Sequence, residues 1–166
     1  MLAAKAYFAG LSGSRFVRIK SRSQHNEADM ADTRDLYARG LARRKRMFGE
    51  TDVEKRMAAS GEFGAPLQNI INAYAYGDVW ERDGLSDAMK SLVMLGITAA
   101  SNRSAEFRVH AKGALANGCT AAQVQDVLLL VAMYCGIPAA IEPNRIAAEI
   151  FGACPAALSD AAPEDS

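Results

Sequence analysis

Glu106 and His110 stand four residues apart in the stretch Glu106-Phe107-Arg108-Val109-His110. On a helix, that spacing puts both side chains on one face, close enough to hydrogen-bond. A carboxylate beside an imidazole fixes the ring's tautomer and raises its pKa, which suits a proton donor or shuttle near neutral pH. The same spacing also describes an ordinary surface pair, because Glu-x-x-x-His is a weak pattern. His110 is nevertheless the one histidine of the region expected to fold, since His25 lies in a basic leader.

Two other segments carry residues that could act with this pair. Gly77-Asp78-Val79-Trp80-Glu81-Arg82-Asp83-Gly84-Leu85 leads into a segment bearing Lys90, and Tyr134-Cys135-Gly136-Ile137-Pro138-Ala139-Ala140 joins two helical stretches. Arg82 and Lys90 are candidate anchors for a carboxylate, and both also fit as surface cations. Trp80 and Tyr134 are candidate pocket walls. Arg103 is a further cation, equally readable as a solvated residue at a helix start. The three cysteines, Cys119, Cys135 and Cys154, form no CxxC pair. They read as free thiols in a reducing cytoplasm, not as a disulfide framework or a zinc site of the usual spacing.

Helices must hold these residues. From Thr33, Leu36, Tyr37, Leu41 and Met47 mark one face, with Arg39, Arg43, Arg44 and Lys45 mostly elsewhere, and Gly49 is placed to stop the run. A short helix follows Asp52, and Gly61 and Gly64 break the chain. Pro66 suits the first turn of the next helix, whose buried stripe is Leu67, Ile70, Ile71 and Tyr74. Ser86 reads as the N-cap of the Lys90 helix and Ser104 as the cap of the His110 helix, which Gly118 closes. Thr120 and Gln123 form a capping box for a helix from Ala121 to about Cys135. Pro138 opens the last helix, and Pro143 is placed to kink it or shift its start. No segment alternates with period two between turns, so the predicted class is all-α, a bundle of about six helices. The stretch Val124 to Met133 has almost no polar face, so a neighbouring subunit is expected to cover part of it.

The 166 residues fit one domain with tails. Residues 1–29 read as a leader or as sequence ahead of a true start at Met30, being rich in Arg and Ser and free of acid up to Asn26. The helical domain is expected over residues 30–154, with a loose tail at 155–166. Lys plus Arg equals Asp plus Glu, 19 of each, which argues against nucleic acid as a partner. No apolar run reaches the length of a membrane span.

Taken together, GDVWERDGL, EFRVHAKGALANG and YCGIPAA, in this order and spacing, resemble the carboxymuconolactone decarboxylase family over roughly Leu36 to Phe151. The resemblance implies an alkylhydroperoxidase-D-like bundle, often hexameric, so a homo-oligomer, hexamer or trimer, in the cytoplasm. It implies decarboxylation of 4-carboxymuconolactone, or a related small anionic lactone acid, to an enol-lactone in aromatic-compound degradation. The lactone carbonyl is then the electron sink, so no cofactor or metal is expected. His110 would donate the proton, Glu106 would orient it, Arg82, Lys90 and Arg103 would hold carboxylates, and Trp80 and Tyr134 would line the pocket. Redox members of the same superfamily carry CxxCxxxH. Aligned on His110, their thiols fall at Arg103 and Glu106, so that chemistry lacks its residues here. A non-catalytic helical assembly is the other alternative. The family usually has arginine at Lys90, often histidine or glutamine at Leu130, and a different continuation from Ile141-Glu142-Pro143-Asn144, which puts the substrate in question more than the fold.

Overall fold

The computed structural model describes residues 22–153, with side chains from Asp32 to Ala153. Six α-helices run in sequence: α1 Arg22–Phe48, α2 Glu50–Ile70, α3 Asp87–Ala100, α4 Ser104–Ala116, α5 Ala121–Cys135 and α6 Ile137–Gly152. A π-helical turn, Ile71–Tyr76, extends α2, and a 3-10 turn, Val79–Glu81, precedes α3. No strand occurs among the described residues. Helix α1 starts at Arg22, so Met30 falls inside it. The rest of the leader, the tail and Cys154 lie outside the described residues.

Most boundaries follow the punctuation in the sequence. Gly49 ends α1 with a φ of 84°, and Gly118 and Gly136 take φ of 82° and 97° at the ends of α4 and α5. These are left-handed values that glycine reaches without a side-chain clash. The Ser86 hydroxyl accepts from Met89 N at 3.2 Å. The capping box forms in both directions: Gln123 N donates to Thr120 Oγ1, and Thr120 N donates to Gln123 Oε1. Three details differ from expectation. Of the stripe expected to be buried after Pro66, Leu67, Ile70 and Tyr74 are exposed and only Ile71 packs on a core, because the π turn directs Asn72, Ala73 and Tyr76 inward instead. Ser104 is the first residue of α4 and not its cap, because the chain turns at Arg103, whose side chain makes no capping bond. Gly64 stays helical, and the break in α2 is at Gly61 alone (φ 56°, ψ −166°).

Two cores result. The larger joins α3 to α6 around Leu95, Phe107, Val124, Leu128, Ile146 and Phe151. The smaller joins α1, α2 and the π turn around Met47, Phe48, Val53, Tyr76 and Trp80. From Asp32 on, the buried residues of α1 are Gly40, Arg43, Arg44, Met47 and Phe48. Leu36, Tyr37, Leu41 and Met47 lie on this inward face as expected, but two arginines share it. Glycine makes this approach possible: a Cβ on Gly40 would lie 1.8 Å from Asn72 O, and one on Gly77 would lie 2.0 Å from Leu36 O.

Candidate active site

His110 projects from the middle of α4 toward the smaller core. Its ring meets the edge of Phe48 with centroids 5.8 Å apart. Phe48 meets the edge of Tyr76, also at 5.8 Å, and Tyr76 stacks on Trp80 at 5.8 Å with 18° between planes. Gly113, one turn beyond His110, lets Phe48 in, since a Cβ there would lie 2.5 Å from Phe48 Cε1. The π turn widens the backbone between Asn72 and Gly77, where Gly77 N donates to Asn72 O at 2.9 Å, and presents Tyr76 to this aromatic row. Such turns recur at functional sites.

Two arginines frame the row. Arg56, from α2, lies over the Phe48 ring, 5.5 Å from its centroid, and Arg44, from α1, lies over Tyr76 at the same distance. Burial pushes the His110 pKa below its ordinary value of 6.5, Arg56 pushes it down further, and the Glu106 charge opposes both. The net direction is downward, the reverse of what the Glu106–His110 spacing suggests. The reason is geometric. Glu106 is exposed and pairs with Arg103 at 3.2 Å, and no hydrogen bond joins it to the imidazole. Its charge reaches His110 only through space, where desolvation outweighs it. Arg103 and Glu106, at the positions of the thiols in the redox branch, thus form an ion pair.

A second network fixes Trp80. Arg43 is buried and donates from Nε to Glu81 at 2.6 Å and from Nη1 to both oxygens of Asp87 at 2.7 and 2.8 Å. These bonds raise the Arg43 pKa and lower that of Glu81. Lys90 donates to the carbonyl oxygens of Trp80, at 2.8 Å, and Arg82, and its ammonium lies 3.6 Å from Asp87. Backbone carbonyls take two of the ammonium's three donors, and Asp87 lies at ion-pair distance. In this geometry Lys90 ties the 3-10 turn to α3.

Trp80, Arg82 and Lys90 do come together. With Val79, Leu85 and Met94 they line an apolar cavity of about 420 Å³. Arg82 stands exposed at its wall, 3.3 Å from Asp78. Tyr134 is 86 % exposed on α5 beside Leu130 and Met133, and it joins none of the ring contacts around His110. Cys135 is exposed, while Cys119 is buried, with its thiol held protonated by burial and directed at Ala88 O. No group of three or more His, Cys, Asp or Glu side chains that could hold a metal ion occurs among the described residues. Phe48, Tyr76, Arg44 and Arg56 were not singled out as site residues in the sequence. The available signal was the spacing of Gly40, Arg43, Arg44, Met47 and Phe48, which continues a buried stripe through two cations.

Residues 65–149 match the Carboxymuconolactone decarboxylase family. The chain is 32 % identical over 115 residues to 4-carboxymuconolactone decarboxylase of Acinetobacter baylyi, covering 69 % of this chain and 86 % of that protein. It is 35 % identical over 109 residues to nitrosuccinic acid decarboxylase npaB of Metarhizium robertsii, covering 66 % and 76 %. His110 lies within the matched segment, whereas Arg44, Phe48 and Arg56 precede it.

Proposed function

From the premise that the chain belongs to the carboxymuconolactone decarboxylase family, we propose that it removes carbon dioxide from a small anionic acid with an electron acceptor of its own. A lactone carbonyl conjugated to the reacting carbon is one such acceptor, and a nitro group beside it is another. The two relatives are named for acids of these kinds. One observation carries the reading: His110 is half-buried against Phe48 with its pKa pushed down, between the opposing fields of Arg56 and Glu106.

In the free protein the ring is neutral near neutral pH. An arriving anion adds its field to that of Glu106 and opposes burial and Arg56, so the ring takes up a proton as substrate binds. An imidazolium destabilised by burial is a stronger acid than a solvated one and releases its proton readily. The bond to the departing carboxyl breaks, carbon dioxide leaves, and the electron pair moves onto the acceptor oxygen. The imidazolium proton ends on carbon, which leaves the ring neutral, as it is in the free protein, until the next substrate binds. Glu106 acts as a nearby charge, Trp80 as a wall, and Lys90 and Arg43 as supports of the wall. Arg82 meets charge at the cavity wall. Tyr134 faces outward beside Leu129, Leu130, Met133, Ile137 and Ile141, a face that a second copy of the chain covers in this proposal.

Assay of carbon dioxide release tests it. Purified protein supplied with 4-carboxymuconolactone, and separately with nitrosuccinate, is expected to release carbon dioxide from at least one. His110→Gln should lower turnover by a factor of ~100 or more, the scale of a lost general acid. Release from neither acid defeats the proposal, and near-normal release by the variant makes His110 structural.

A further inference from the structure

Arg43 and Arg44 are neighbours in sequence and both buried, yet only one is paired. Arg43 meets two carboxylates. Arg44, 5 % exposed, meets none among the described residues. Its Nη1 donates to Gln68 Oε1 at 3.0 Å and to Asn72 Oδ1 at 2.6 Å, both neutral acceptors. Its Nε is buried with no partner. Burial lowers its pKa most; Tyr76 opposes that lowering, and the nearby Arg56 cation, which repels it, adds to it.

A buried guanidinium without a counter-ion is costly, and an apolar side chain of similar volume avoids that cost. Gln68, Asn72 and the Tyr76 ring set the direction of the guanidinium but do not neutralise it. Asn72 is itself fully buried and offers its oxygen from the π turn. The arrangement is that of a held cation lacking its anion.

We propose that Arg44 is a substrate-binding residue whose missing partner is a carboxylate of the substrate, with Arg56 as a second, more open cation. This assignment rests on the reading of the protein as a decarboxylase of a small acid. Arg44 stands over Tyr76, Arg56 over Phe48, and His110 at the edge of Phe48, so two cations and the imidazole lie around one cluster of edge-to-face rings. A dicarboxylic acid loses one carboxylate and keeps the other. A guanidinium bound to the leaving group stabilises the ground state and slows the reaction, whereas one bound to the retained group costs nothing in rate. Arg44 therefore holds the carboxylate that remains on the product.

Succinate is the probe: a dicarboxylate with no acceptor, unable to react. Trp80 is the protein's single tryptophan and stacks on the Tyr76 ring beneath Arg44, so its emission reports binding. In the wild-type protein succinate is expected to change that emission and to shift the ¹⁵N resonance of Arg44 Nε. Arg44→Lys and Arg44→Gln should weaken succinate binding, the latter by about 10- to 100-fold, the scale of a lost charged hydrogen bond. Succinate saturating the wild type without moving the Arg44 Nε resonance overturns the assignment, and this measurement needs no variant to fold. An unchanged succinate Kd in Arg44→Gln overturns it as well. The two readings fail separately. Carbon dioxide release by Arg44→Gln at wild-type KM removes Arg44 from the site and leaves the decarboxylase standing. Arg44-dependent succinate binding in a protein that decarboxylates neither acid keeps the anion site and removes the decarboxylase.

Discussion

His110 links stability to pH in a direction its environment dictates. Its folded pKa is below the ordinary 6.5 because burial and Arg56 disfavour the imidazolium more than Glu106 favours it. The unfolded chain therefore binds this proton more readily than the folded one. The sign follows: the His110 contribution is fully present above pH ~6.5 and is lost as pH falls from there through the folded pKa. His110→Gln, which has no titrating ring, should flatten that part of the curve. Urea unfolding at steps between pH 7.5 and 5 checks this. A variant as acid-sensitive as the wild type over this interval would show that other groups set the slope. The same residue marks the limit of reading by spacing. Glu106 and His110 are placed on one helix face by their numbers alone, but the burial that outweighs their attraction comes from Phe48, a residue of another helix. Arg44 was hidden for a related reason. A run such as Arg43-Arg44-Lys45-Arg46 reads as a solvated face, and only the packing of α1 on the π turn turns two of these cations inward.

At the scale of elements, α1 and the π turn meet through glycine. The small size of Gly40 lets the α1 backbone reach that of Asn72, the residue that orients Arg44, and Tyr76 lies one turn beyond. Gly40→Ala adds a Cβ that would stand 1.8 Å from Asn72 O and 2.6 Å from Gly77 N, both backbone atoms that cannot swing aside. The helices must separate, so a loss of ~2 kcal/mol or more is expected, at the upper range for overpacking. Gly84→Ala, with nothing within 4 Å of the added atom, serves as the control and should stay within about 0.5 kcal/mol of the wild type. Chemical unfolding of both variants settles the contrast, and equal stabilities would mean that the close approach is not required. Helices of this chain were legible where local chemistry punctuates them, at Gly49, Ser86, Thr120 with Gln123, and Gly136. The π turn was not, because its extra residue per turn answers to the close packing of α1 and leaves no mark in the period of apolar residues.

On the whole molecule, apolar side chains continue past the cores onto the surface. Met133 is 78 % exposed and Ile137 68 %, with Leu129, Leu130 and Ile141 beside them. Monomers rarely leave contiguous apolar patches larger than a few hundred Å² on their surface, which supports covering by a second copy. Light scattering at micromolar concentration is expected to find an oligomer. Leu130→Glu with Met133→Glu places two charges on that face and should yield a smaller species of unchanged helicity. A monomeric wild type would refute the covered face outright. The dissociated variant also separates two parts of the site. His110, Phe48, Tyr76, Trp80, Arg44 and Arg56 come from one chain, so succinate binding should survive dissociation nearly unchanged. Tyr134 lies on that exposed face and joins none of the ring contacts around His110, so in the proposed oligomer it would meet substrate from a neighbouring copy. If carbon dioxide release falls on dissociation while succinate still binds through Arg44, the interface supplies a catalytic group, and Tyr134→Phe in the intact oligomer should reproduce the loss. If release survives dissociation, each chain carries a complete site, and Tyr134 belongs to assembly alone.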